Sequence, residues 1–168
     1  SDIRVTDSDG TTLLSFWIEE WDPEEGEGVV WVRVPYLPAE GSKVVYLYYG
    51  NPDAESASDG LATFEFFDDF EDGDVSDWEG VSADLRVEDG VLVLDPTGIA
   101  LFHLAIPSQC DLELESYVVE AMLYDAWPGG GVLVHYVDGD NWWGIELYKL
   151  PIPGLGWYML RPYVEGID

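Results

Sequence analysis

The chain has 168 residues and carries 35 Asp and Glu against six Lys and Arg, a formal net charge of −29. A surface this negative repels phosphate backbones and anionic headgroups, which excludes nucleic acid and membrane surfaces and leaves cations, neutral ligands such as sugars, or a cationic partner. Apolar residues make up 47%, with eight Trp and ten Tyr, so the chain can bury a core and is not a disordered acidic tail.

The pattern is β almost throughout, with β-branched and aromatic runs broken by Gly, Pro, Asp and Asn and no helical periodicity. Residues 3–6 read as a strand. Asp7-Ser-Asp-Gly10 reads as a turn in which glycine supplies a positive φ. Residues 11–21 form the next strand, stopped by Asp22-Pro23, and the acidic, glycine-rich 24–28 is a hairpin loop. Residues 29–34 (VVWVRV) return as a strand. Residues 43–49 (KVVYLYY) are apolar on both faces, which predicts a central strand. Gly50-Asn-Pro-Asp53 turns the chain, and the small, polar 54–60 (AESASDG) reads as a linker.

The stretch 66–74, FFDDFEDGD, crowds three phenylalanines and five carboxylates into nine residues and marks a seam near 60–67. Short strands follow at 81–87, 90–94 and 99–104, a long one at 112–124, and others at 132–137, 142–148 and 157–160. Asp138-Gly-Asp-Asn141 is a hairpin turn. Turn signals at this spacing predict an all-β chain of antiparallel β-sandwich type in two units, 1–62 and 63–168. No apolar run of 18 residues occurs, so no segment is expected to enter a membrane directly. No signal peptide is visible at Ser1, and the chain opens in strand-like sequence, so Ser1 is not expected to be the natural start.

Candidate chemistry falls into three kinds. A sandwich-type retaining glycosidase needs carboxylates spaced Glu-x-Asp-x-x-Glu along one strand; Glu113 and Glu115 share a face, but the third position is Val118. No Gly-x-Ser-x-Gly elbow occurs, His103 and His135 stand singly in apolar strands, and Cys110, the one cysteine, reads as a small buried hydrophobe. Few cations are present to pair the carboxylates, which must be hydrated, screened or metal-bound. Asp68, Asp69, Glu71 and Asp74 are the candidate calcium ligands, set against the plain reading of an acidic solvated turn; no EF-hand spacing is present. Sugar-binding surfaces stack aromatic rings on pyranose faces with polar groups on the hydroxyls. Trp127, Trp142, Trp143 and Tyr148, with Asp140 and Asn141, have that composition, although Trp142 and Trp143 alternate, so at least one is core.

The order of SDIRVTDSDGTTLL at 1–14, WIEEW at 17–21, VWVRV at 30–34 and YLYYGNP at 46–52 resembles the family called domain of unknown function 2341, found in extracellular and surface proteins of archaea and bacteria. The later part, with FDDFEDGD, Trp78, GGVLV and YVDGDNWW, looks like a concanavalin A-like (jelly-roll) or laminin G-like sandwich. The first family has further strands before SDIR and the second fold more strands than 68–168 supplies, so the chain is expected to be a segment cut at both ends. Its exposed sheet edges would be completed by a partner or an absent segment. The resemblance transfers no catalytic residue. It implies an extracellular or cell-surface adhesion or carbohydrate-binding module, non-enzymatic, with a glycan or surface protein as partner and calcium as its one expected cofactor. The alternative is a structural spacer or filament subunit that self-associates through sheet edges; a glycoside-active enzyme is the remote one.

Overall fold

The computed structural model describes residues 2–97, 104–108, 117–124, 129–138, 141–149 and 156–164. The fold is all-β, built from small antiparallel sheets, and its contacts divide into two compact units, Ser1–Leu112 and Glu113–Asp168.

The first unit opens with β1 (Arg4–Thr6), which pairs β4 (Tyr46–Tyr48) with Val5 opposite Leu47. On its other side β1 meets the returning chain: Leu14 N donates to Val5 O at 2.9 Å and Asp7 N to Thr12 O at 2.8 Å. The expected turn at 7–10 makes this return. Gly10 adopts φ +71°, and the Asp9 carboxylate accepts from Thr11 N at 2.9 Å, Thr12 N at 2.8 Å and Thr12 Oγ1 at 2.6 Å. β2 (Phe16–Asp22) and β3 (Glu27–Val32) form a hairpin with a bulge between Ile18 and Glu20. Its loop is closed by the Asp22 carboxylate, which accepts from Glu24 N and Glu25 N, and by Gly26 at φ +73°. Gly28 lies inside β3 because a Cβ there would stand 2.7 Å from the Trp21 ring.

Alternation along these strands builds the core. Ile3 and Val5 on one side of β1, then Leu14 and Phe16, are buried together, and Ile18, Val30 and Val32 pack against them.

Two expectations fail in this region. Residues 43–49 do not make a central strand: among the described residues β4 pairs with β1 alone, and every residue from Val44 to Tyr49 is exposed. Two-sided apolarity signals that both faces want cover, and an edge whose cover comes from elsewhere carries the same pattern as a buried strand. Nor are residues 54–60 a free linker. Ile18 N donates to Ser58 Oγ at 2.9 Å and Asp59 N to Phe16 O at 2.8 Å, so small side chains let this segment occupy the outer edge of β2. Asp59 then caps the one-turn helix α1 (Gly60–Thr63), accepting from Ala62 N at 2.9 Å.

The rest of the unit is β5 (Trp78–Val81) paired with β8 (Leu104–Pro107), and the hairpin of β6 (Ala83–Glu88) and β7 (Val91–Pro96). Asp89 and Gly90 both take positive φ (52° and 72°), the type I′ turn that matches strand twist. The expected strand at 81–87 is broken at Ser82, which has φ +56°. Of the strand expected at 99–104, all but Leu104 lies outside the described residues.

In the second unit, residues 117–124 form no strand and are exposed, against the expected strand at 112–124, whose first five residues lie outside the described ones. The pattern is strand-competent but finds no pairing among the described residues. The three later strands appear and are longer than expected: β9 (Gly129–Asp138), β10 (Asn141–Lys149) and β11 (Gly156–Val164) form a meander with β10 in the middle. Asp138 pairs with Asn141, as a tight hairpin requires. Trp142 and Gly144 are buried on β10, and a Cβ at Gly144 would stand 3.0 Å from the Trp142 ring.

Phe16 is the largest side chain of the first core. Phe16→Ala is expected to lower unfolding stability by about 3–5 kcal/mol in urea titrations, whereas truncating the exposed Leu61 is expected to change it by less than about 0.5 kcal/mol.

Candidate functional site

The acidic stretch is held from both sides by aromatic rings. Phe64 and Phe67 stack (5.6 Å, 8°), and both meet Trp17 edge-on at 5.8 and 4.9 Å. Trp31 joins Phe64 at 5.6 Å, so this cluster covers the face of the β2–β3 hairpin that carries Trp17 and Trp31. Gly60 allows the fit, since a Cβ there would overlap the Phe67 ring. The exposed Arg33–Glu65 ion pair (2.5 Å) flanks it. Phe66 and Phe70 turn instead to Trp78, each at 5.5 Å. Phe70 holds φ +58°, a left-handed conformation unusual for a bulky residue; its ring contact with Trp78 and a bond from Gly73 N to its carbonyl hold it there.

The carboxylates turn toward their own backbone. Asp68 uses both oxygens, accepting from Phe70 N at 2.8 Å and from Trp78 Nε1 at 2.7 Å. Asp69 accepts from Glu71 N at 3.3 Å and Asp72 from Asp74 N at 2.9 Å. Asp74 accepts from Ser76 N at 2.9 Å and Ser76 Oγ at 2.8 Å, and these bonds hold its carboxyl below the usual range. Glu71 lies against the β6–β7 turn at Gly90. Among the described residues no group of three or more His, Cys, Asp or Glu is arranged to hold a metal ion. The residues proposed for calcium therefore neighbour one another in sequence, and the bonds that Asp68, Asp69 and Asp74 accept belong to separate turns.

Of the residues expected to touch a glycan, Trp142 is 2% exposed and Trp143 is 41% exposed, so the alternation places the first ring in the core and the second at the surface. Asn141 and Tyr148 lie in β10, opposite Val164 and Trp157 of β11. Trp127 and Asp140 lie outside the described residues, as do Glu113, Glu115, His103 and Cys110; His135 lies in β9 opposite Trp143.

Residues 1–81 match the family described as domain of unknown function (DUF2341). No curated protein and no solved structure matches the chain. The DUF2341 match runs past residue 67, through the whole acidic stretch and β5 to Val81.

The DUF2341-matching segment also holds a surface that strand reading alone overlooks. Val44, Val45, Tyr46, Leu47, Tyr48 and Tyr49 are all exposed, Tyr49 at 79%. Residues 28–39 and 41–52 contain no Asp or Glu, in a chain of net charge −29. That gap in the charge is the sequence signal that marks the surface. At its C-terminal end Asp2 accepts from Gly50 N and Asn51 N, beside an open depression of about 380 Å³ lined by Asp2, Gly50, Pro52 and Ala54. At its N-terminal end Lys43 pairs with Asp7 at 2.8 Å. Backbone donors hold Asp2 below the usual carboxylate range, the Lys43 ammonium does the same for Asp7, and the threonine donors do so for Asp9.

These shifts fix the acid side of the stability curve. Depressed folded values mean that the contributions of Asp2, Asp7, Asp9 and Asp74 are complete above the unfolded value of 3.8 and are lost as pH falls through the lower folded values. Protonating the other carboxylates relaxes the −29 self-repulsion first. Melting temperature followed by circular dichroism at low protein concentration is therefore expected to rise from pH 7 to about pH 4–5 and to fall below about pH 3.5.

Proposed function

We propose that this chain is a non-catalytic interaction module of an extracellular or cell-surface protein, and that it takes neutral ligands of the glycan class on exposed aromatic rings. The observation that carries the reading is the exposure of large rings on a chain whose charge repels anions: Trp143 on β10, and Trp31 on β3 with its indole N–H fixed by Glu19 at 2.6 Å. An indole held by a carboxylate offers a fixed apolar ring edge beside a hydrogen-bond acceptor, the pairing that a sugar ring and its hydroxyls require. A concanavalin A-like or laminin G-like architecture for the later part of the chain belongs to the same proposal. Trp143→Ala is expected to weaken binding to a glycan recovered from a polysaccharide panel by about tenfold or more, and Trp31→Ala to do the same where the ligand sits on the first unit. Absence of binding across the panel at millimolar protein overturns the reading, and so does hydrolysis that Glu113→Gln abolishes.

A second reading, a structural subunit joined to neighbours through sheet edges, is favoured by one specific observation: the exposed edge strand β4.

Calcium at 68–74 would compete with the bonds that Asp68, Asp69 and Asp74 accept from their own backbone. Melting curves with calcium and with chelator at matched ionic strength are expected to coincide; a higher melting temperature with calcium would show that the turn rearranges to take the ion.

A further inference from the structure

We infer that the free edge of β4 pairs antiparallel with β4 of a second copy, about a two-fold axis at Leu47. The inference rests on the edge-assembly reading and names the partner for it.

Three observations converge on this partner. The first is area. Scaled by exposed fraction, roughly 200 Å² per tyrosine and 100 Å² per aliphatic side chain put about 500 Å² of apolar surface on Val44–Tyr49. That exceeds the ~400 Å² patch a soluble surface carries without a binding role; edge pairing covers the flanks of these side chains, against an upper bound of about 1,000 Å² for both copies, the size at which specific dimers begin. The second is charge. Residues 41–52 hold no carboxylate of their own, so an identical edge approaches with acidic groups only at its ends, Asp2 and the Lys43-paired Asp7. A cationic partner would instead be drawn to the acid-rich hairpin 19–27, away from β4.

The third is end-to-end complementarity. Continuity of the two sheet faces requires residues of equal parity to meet, so the register centred on Leu47 sets Tyr46 against the partner's Tyr48 and Lys43 against the partner's Asn51. Asn51 N–H is held by Asp2, so each Lys43, which also holds Asp7 of its own copy, arrives beside an acidic group of the other copy, at both ends of the pair. The aromatic residues meet across the strands in the middle, where cross-strand contact stabilises pairing most. The interface is isologous and closes as a dimer; it does not propagate.

Sedimentation of the full 168-residue chain tests the inference. A concentration-dependent monomer–dimer equilibrium is expected, tighter at about 0.5 M than at about 0.05 M salt because salt screens the repulsion between the two copies. Leu47→Lys is expected to weaken it by about tenfold or more, whereas Val29→Lys on the exposed edge of the other hairpin leaves it unchanged; circular dichroism verifies that both variants fold. The register has its own readout. With Cys110 replaced by serine, Leu47→Cys is expected to cross-link two copies under mild oxidation, since position 47 faces itself, and Val44→Cys is not. A dimer abolished by Val29→Lys but not by Leu47→Lys overturns the β4 inference and keeps edge assembly. A monomer at every concentration and salt removes both and assigns the edge to another occupant. Val44→Cys cross-linking in place of Leu47→Cys overturns the register.

Discussion

The shortage of cations governs this structure. Six Lys and Arg cannot neutralise 35 carboxylates, so hydrogen bonds from the chain's own N–H groups take over much of the work that ion pairs do elsewhere. Asp9, Asp22, Asp59, Asp68, Asp69, Asp72 and Asp74 each accept from a backbone N–H two or three residues on, and Asp2 does so across 48 residues. A carboxylate bonded in this way stabilises a turn and keeps its charge in water, so acidic residues gather at bends while the strands between them stay apolar. Among the described residues the four side-chain ion pairs involve Arg33, Lys43 and Arg86, and three of the four are well exposed, where such pairs contribute little.

Aromatic rings supply what charge pairing does not. The cluster of Trp17, Trp31, Phe64 and Phe67 covers one face of the β2–β3 hairpin while Phe16, Ile18, Val30 and Val32 cover the other. The hairpin is therefore packed on both faces although it has only two strands, with Trp31 still 37% exposed. Phe66 and Phe67, adjacent in sequence, face different clusters, and Asp68 then anchors the next one by accepting from the Trp78 indole. The acidic stretch is thus a packing device with a charged rim. Its phenylalanines place it, and its carboxylates close the turns that follow.

Much of this was legible in the sequence where a feature has a local cause. Asp7-Ser-Asp-Gly10 turned as expected because the glycine conformation and the Asp9 carboxylate act within five residues. The hairpin closed by Asp22, the meander of β9, β10 and β11, and the alternation that buries Trp142 and exposes Trp143 were readable for the same reason. The failures share a non-local cause. Nothing in AESASDG announces that Ser58 will accept from Ile18, forty residues away, and nothing in KVVYLYY says whether its two apolar faces meet the same chain or another. The turn bonds of the acidic stretch were not legible either, because sequence neighbours on a tight turn point their oxygens at different amides, a geometry that composition does not record.

Edge strands usually carry charge that deters pairing with another chain. This chain has carboxylates to spare and places none of them on β4: Glu19, Glu20, Asp22, Glu24, Glu25 and Glu27 crowd the β2–β3 hairpin, while residues 41–52 hold Lys43 and no Asp or Glu. Such an asymmetry has no value for solubility, since one carboxylate on β4 would block pairing at little cost to the exposed fold. It has value if the edge must accept another strand while every other surface refuses one. Net charge and the carboxylate-free edge are then two parts of a single arrangement, in which repulsion over the acidic surface favours approach along β4, whose outer edge pairs with no strand among the described residues.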